Sequence, residues 1–135
     1  MNQEVIEVQI KLEEEIASLD EQDKKDFLEL EGIEEPALNK IIKKGYEILG
    51  LDTFFTAGPN ELRAWTLKRG SLAPQAAGRI HTDFERGFIK AEIISFEDYI
   101  SFGGEAGSKE NGKLRLEGKD YIFKDGDIAH FKFNV

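Results

Sequence analysis

The residues best suited to chemistry in this chain are cations. Between Arg63 and Lys90 stand six basic residues, Arg63, Lys68, Arg69, Arg79, Arg86 and Lys90, against two acids, Asp83 and Glu85. That local excess of +4 sits in a chain whose net charge is −9. A patch of this kind can neutralise the phosphates of a polyanion. The plainer reading is a solvated surface with uneven charge. His81 lies inside the stretch and has two readings of its own. Beside Arg79 and Arg86 it would face a phosphate backbone from an exposed edge; alternatively it would complement orphan carbonyls at a helix C-terminus. The nucleic-acid-binding candidates are therefore Lys68, Arg69, Arg79, His81, Arg86 and Lys90. Trp65, Phe54, Phe55 and Phe88 could stack on bases. A sheet nonetheless needs large side chains on its buried face, so the core is their expected place.

Other chemistries fail on residue type or spacing. With no cysteine there is no thiol nucleophile, disulfide or thiolate metal site. His81 and His130 are 49 positions apart, a spacing that makes no metal cluster by itself. Ser71, Ser95, Ser101 and Ser108 lack a nucleophile context, and no Gly-x-Ser-x-Gly occurs. Glu34-Glu35 and Glu97-Asp98 are neighbours that, read as strand residues, point to opposite faces. Gly107-Ser108-Lys109-Glu110-Asn111-Gly112-Lys113 has the glycine–lysine spacing of a phosphate-binding loop. Leu114 then stands where Mg²⁺ needs a hydroxyl, and no Asp-x-x-Gly follows. The expectation is a chain with no catalytic residues, no cofactor site and no metal site.

The elements that must hold these residues divide at Gly50. Residues 1–50 carry six basic and 14 acidic residues, hence −8 of the charge; residues 51–135 carry 12 and 13. In the first part Val5, Ile6, Val8 and Ile10 read as a short strand. Leu12, Ile16 and Leu19 have helical spacing, and Asp20 with Asp23 offers an N-cap for a second helix ending at Gly32. Pro36 opens a third, with Leu38, Ile41, Ile42 and Leu49 on one face as far as Gly50. Such helices, each with one apolar stripe, are too few for a core of their own.

After Gly50 the texture turns aromatic and β-branched. Thr53–Ala57 and Leu62–Leu67 read as a hairpin around Gly58-Pro59-Asn60-Glu61. Residues 73–84 read as a helix, weakened by Gly78 and ended by Gly87. Phe88–Phe96 reads as a strand that Tyr99–Phe102 extends or follows, and residues 103–112 as a glycine-rich loop. Tyr121–Phe123 and Ile128–Phe133 read as short strands around Asp125-Gly126. The order predicts an α+β fold, a mixed sheet on one helix of β-grasp type, preceded by a helical segment. Hydrophobic residues at 40%, including ten phenylalanines, suffice for that core. No apolar run approaches the roughly 18 residues that span a bilayer, and Met1-Asn2-Gln3-Glu4 opens no secretory signal. A cytoplasmic protein without a membrane partner is expected.

Several of these residues form a recognisable pattern. Lys68-Arg69-Gly70-Ser71, Ala76-Ala77, Ile80-His81-Thr82-Asp83 and Asp125-Gly126-Asp127 resemble the TGS domain, a β-grasp module of threonyl-tRNA synthetases, some GTPases and stringent-response enzymes. A closer resemblance rests on Phe55-Thr56-Ala57-Gly58, Arg63-Ala64-Trp65-Thr66, Ala73-Pro74-Gln75-Ala76-Ala77-Gly78 and His81-Thr82-Asp83-Phe84-Glu85-Arg86-Gly87-Phe88-Ile89. Gly104-Glu105-Ala106-Gly107, Leu114-Arg115-Leu116-Glu117-Gly118-Lys119-Asp120-Tyr121 and Phe133-Asn134-Val135 complete it. Together they are similar to the C-terminal end of the YchF/Obg-related P-loop ATPases, nearly continuously over 51–135 and more loosely through Glu34-Glu35-Pro36, Leu38-Asn39 and Gly45-Tyr46.

That resemblance implies an ATP- or GTP-binding family that associates with ribosomes, with Mg²⁺ and nucleotide held in a domain not seen here. Residues 1–50 would be the remnant of that nucleotide domain's end and connecting helices, and 51–135 the TGS β-grasp domain. Lys11 matches the family's Ser-Ala-Lys base-contacting strand, whereas Gln9 and Ile10 depart from it. The chain reads as a fragment or a short paralogue, not an enzyme by itself. Its expected role is accessory recognition of a ribosome or structured RNA, with regulation of the parent protein. The alternative is a structural domain packed on the parent's nucleotide domain without touching nucleic acid. A sulfur-carrier role on the same fold would need a Gly-Gly terminus, and this chain closes on Phe133-Asn134-Val135.

Overall fold

The computed structural model describes residues 3–134; Met1, Asn2 and Val135 of the terminal motifs lie outside them. The chain divides into two compact units, the second beginning at Gly50.

The first unit holds α1 (Ile10–Ser18), α2 (Glu21–Glu31) and α3 (Ala37–Ile48). Local chemistry sets their ends. Asp20 caps α2 by accepting the Asp23 N–H at 2.9 Å, and Gly32 closes it at φ 67°, a left-handed conformation that glycine adopts freely. Pro36 precedes α3 as its cap. A Glu13 carboxylate oxygen accepts the Ala37 N–H at 2.8 Å, placing negative charge at the positive end of that helix. The strand expected over Val5–Ile10 does not form. Residues 3–9 are irregular and Ile10 opens α1, so Lys11 lies on a helix. A β-branched run has no ladder to join in a helical unit, and strand propensity alone does not make a strand. Ile16 is the one buried residue among the described ones here, while Leu38, Ile41, Ile42 and Ile48 of α3 stay exposed.

The second unit contains β1 (Leu51–Ala57), β2 (Leu62–Lys68), α4 (Ala73–Ile80), α5 (Thr82–Arg86), β3 (Phe88–Ile94), α6 (Phe96–Ser101), α7 (Glu105–Glu110), β4 (Arg115–Glu117) and β5 (Ile128–Phe133). The strands lie in the order β2-β1-β5-β3-β4. The central strand β5 runs parallel to its neighbour β1, and every other pair is antiparallel. This is the mixed sheet on one helix that the element order predicts. Ala73, Ala76 and Ala77, all fully buried, form one face of α4 at i, i+3 and i+4. Their small side chains let the helix approach Phe54, Leu67, Phe88, Ile93, Phe123 and Phe131 closely. The rings of Phe54 and Phe123 meet edge-on at 5.2 Å.

Four local expectations change. The helix over 73–84 breaks at His81, whose extended backbone ends α4 and starts α5. Tyr99–Phe102 does not continue a strand, because β3 ends at Ile94 and Ser95 caps α6. Its hydroxyl accepts the Asp98 N–H at 3.2 Å and donates to the Asp98 carboxylate at 2.9 Å. Glu97 and Asp98 are therefore helical neighbours, not strand ones. The stretch 103–112 is no loop, since α7 occupies most of it. Gly107 is required inside that helix because a Cβ there would collide with the Phe102 carbonyl oxygen. Finally, Tyr121–Phe123 does not join the sheet. Its backbone bonds the start of α4, through Ala73 N–H to Tyr121 O at 2.9 Å and Phe123 N–H to Ser71 O at 3.0 Å. The strand that pairs with β3 at the sheet's far edge is Arg115–Glu117 instead. The Asp125-Gly126 turn does form, and Gly126 donates to Thr53 O at 2.7 Å.

Candidate nucleic-acid interface

Two of the six candidate residues meet at the free edge of the sheet. Leu51, Thr66, Leu67, Lys68, Ser71, Gln75 and Arg79 line a groove of about 300 Å³ between β2 and α4. Lys68 is the last residue of β2. The chain then turns at Gly70, with φ 82°, and Ser71 bonds back to Lys68 O through both its N–H and its hydroxyl. Gln75 fixes the helix start by accepting the Leu72 N–H at 2.8 Å. Arg79, one turn further along α4, projects from the same side. Its Nε donates to Thr66 O at 2.8 Å, leaving both terminal nitrogens outside that bond. The lining thus carries two cations and no carboxylate.

The other candidates are placed differently. Arg69 follows Lys68, but its Nε lies 3.3 Å from Asp52, a carboxylate only 8% exposed that needs a cation. His81 shows a geometry that neither reading anticipated. Its Nδ1 accepts the Asp83 N–H at 3.1 Å, so the ring caps the N-terminus of α5 and does not donate to the end of α4. Nε2 is the ring atom left for a partner. Arg86 is exposed in the last turn of α5. Lys90 lies on β3, paired with Lys132 of β5, and β3 is three strands away from β2. At about 4.8 Å per strand that is roughly 14 Å from the groove. The six do not share one face.

The aromatic candidates follow the core reading. Phe54 and Phe88 are buried, and Phe55 is half-buried beside Phe96. Trp65 packs against the core and donates from Nε1 to Thr56 Oγ1 at 2.9 Å, with the Arg63 guanidinium 4.4 Å above its ring. The phosphate-loop spacing at 107–113 has no phosphate-loop geometry. The N–H groups of Ser108, Asn111, Gly112 and Lys113 are bonded to Gly104, Gly107, Lys109 and Ser108 carbonyls, and Ser108 is fully buried with its hydroxyl on Asp98 O. Sequence reasoning missed Ser71 and Gln75 as groove residues. A serine after Gly70 and a glutamine at the third position of a helix were the available signals.

Comparison with known proteins gives the family. Residues 51–134 match the family described as YchF-GTPase_C, a protein of unknown function (DUF933). The "Ribosome-binding ATPase YchF" of Haemophilus influenzae is 59% identical over 131 residues, covering 97% of this chain and 36% of that protein. That of Bacillus subtilis is 57% identical over 134 residues, covering 99% and 37%. The solved structure of the Schizosaccharomyces pombe YchF GTPase superposes with a TM-score of 0.78 at 38% identity, over 93% of this chain and 33% of that one. The chain therefore spans about a third of the length of the relatives it matches. No helix among the described residues is long and apolar enough to cross a membrane. With the family match over 51–134, these identities and the shared fold in agreement, the chain belongs to the YchF family, whose C-terminal region it matches.

Proposed function

We propose that this chain is an accessory recognition region that docks on ribosomal RNA through the groove between β2 and α4. The unit beginning at Gly50 would be a TGS domain of β-grasp type. The observation that carries the proposal is the pairing of Lys68 and Arg79 in one groove whose lining has no carboxylate. Two relatives named as ribosome-binding ATPases support a ribosomal partner. Nucleotide hydrolysis, ATP or GTP with Mg²⁺, would belong to the part of such relatives that this chain does not cover. Arg86 and Lys90 would then add long-range attraction, not direct contact at the groove, while His81, with Nδ1 already accepting, offers a hydrogen bond from Nε2.

Equilibrium binding to purified ribosomes over a series of salt concentrations tests this. Each phosphate neutralised releases condensed counterions, so the affinity should fall steeply with salt. Lys68→Ala with Arg79→Ala should weaken binding by about 1–3 kcal/mol and flatten the logarithmic salt slope by about two units. Arg69→Ala should act on stability through Asp52 instead. Wild-type affinity and slope in the double variant would overturn the groove.

A second reading has its own observation. Leu38, Ile41, Ile42 and Ile48 expose much of the apolar face of α3. Such a face fits packing against a parent's nucleotide domain, a structural role that calls for no RNA. Binding of this chain to a separately supplied nucleotide domain of a relative, lost with Ile41→Asp, together with no binding to ribosomes, would favour it.

A further inference from the structure

Glu92, Glu105 and His130 come together on the sheet face away from α4. Glu92 and His130 stand directly opposite each other in the antiparallel β3–β5 pair, and Glu105 is the first residue of α7. One ligand atom from each lies within 4.8 Å of the other two. Even if all three separations had that limiting value, a common centre would lie about 2.8 Å from each atom. Rotamer adjustment of under about 1 Å then reaches the 2.0–2.2 Å bonds of a transition metal. The same three residues border a cavity of about 10 Å³, lined otherwise by Ala57, Ile94, Leu114, Ile128 and Ala129. That is room for one ion or one water.

Glu92 is half-buried and Glu105 and His130 are exposed, and among the described residues neither carboxylate has a hydrogen-bond or ion-pair partner. The nearby Lys132 ammonium is directed at the His130 ring, 3.5 Å from Nε2, and not at the glutamates.

We propose that Glu92, Glu105 and His130 bind a single divalent transition-metal ion of the zinc class. Two carboxylates with one imidazole suit Zn²⁺, whereas Mg²⁺ and Ca²⁺ favour all-oxygen sets. With three protein ligands, the fourth position belongs to water. Bound there, the ion neutralises the facing carboxylates and ties the start of α7 to β3 and β5. Residues from three separate elements would become one cross-linked unit.

The test is calorimetric titration of Zn²⁺ into the untagged full chain in chelator-treated buffer. One site per chain is expected, with affinity reduced at least about tenfold by Glu105→Gln and by His130→Gln. His81→Gln should bind as the wild type does. Saturating Zn²⁺ should raise the melting temperature of the wild type and of His81→Gln, but not of the two ligand variants. In NMR spectra the His130 ring resonances should shift while those of His81 stay in place. This readout needs no variant to fold. Absence of saturable Zn²⁺ binding would overturn the site, as would unchanged affinity in both ligand variants or a response confined to His81.

Discussion

The Tyr121 hydroxyl donates a 2.6 Å hydrogen bond to Asp127, a carboxylate only 2% exposed. Asp127 Oδ2, which takes that bond, also accepts the Lys124 N–H at 3.0 Å, and Arg115 donates to the phenol at 3.2 Å. The turn before β5 is held by this network. Burial, and then the bond to Asp127, push the Tyr121 phenol up to about 12. A raised phenol contributes stability that is fully present below its unfolded value of about 10 and is lost as pH climbs through about 12. Phenolate absorbance should therefore show one of the three tyrosines ionising late, and Tyr121→Phe should abolish that step. The variant should lose about 1–2 kcal/mol at neutral pH, since Asp127 keeps its backbone donor. A late step that survives in Tyr121→Phe would refute the assignment.

Amide exchange on the whole chain should separate the two units. The second has a closed aromatic core, whereas the first buries Ile16 alone among its described residues. Amides of β1, β3 and β5 should exchange only through global unfolding, and those of α1 to α3 much faster. Equal protection throughout would make the helices integral to one cooperative fold.

Nucleotide should find no site in the stretch resembling a phosphate loop. Its amides are bonded within α7 and the turn that follows, and Ser108 is buried. Calorimetry with Mg-ATP or Mg-GTP should give no saturable heat. Micromolar, Mg²⁺-dependent binding would show that α7 rearranges.

What could be read in advance depended on how local each signal was. The β1–β2 hairpin, the Asp20 cap and the Gly32 stop involve residues a few positions apart, and they stand as the sequence predicts. The Ser95–Asp98 pair was equally local, yet the aromatic and β-branched residues around it suggested a strand. There the cap outweighed propensity. Arg115–Glu117 is a strand only because β3 offers it an edge, and that edge comes from residues over twenty positions away. Charge told least. Six cations within 28 positions looked like one patch, but the fold sends Lys90 three strands from Lys68 and sets Arg69 against Asp52. Glu92, Glu105 and His130 had no sequence signature, because two crossings of the chain bring them together.

The bond from Arg79 to the Thr66 carbonyl has a consequence for association. Thr53, opposite Thr66, spends its own N–H and C=O on Asp125 and Gly126, so the Thr66 carbonyl points to the open side of β2. A seven-residue border strand is a template on which a second copy can add its own strand. The guanidinium occupies one rung of that template and blocks it. Held by Nε, the side chain has already lost much of its rotational freedom, so a ligand reaching its terminal nitrogens forfeits less entropy in fixing it. One arginine thus discourages self-association and is rigid in advance for whatever anion enters beside it.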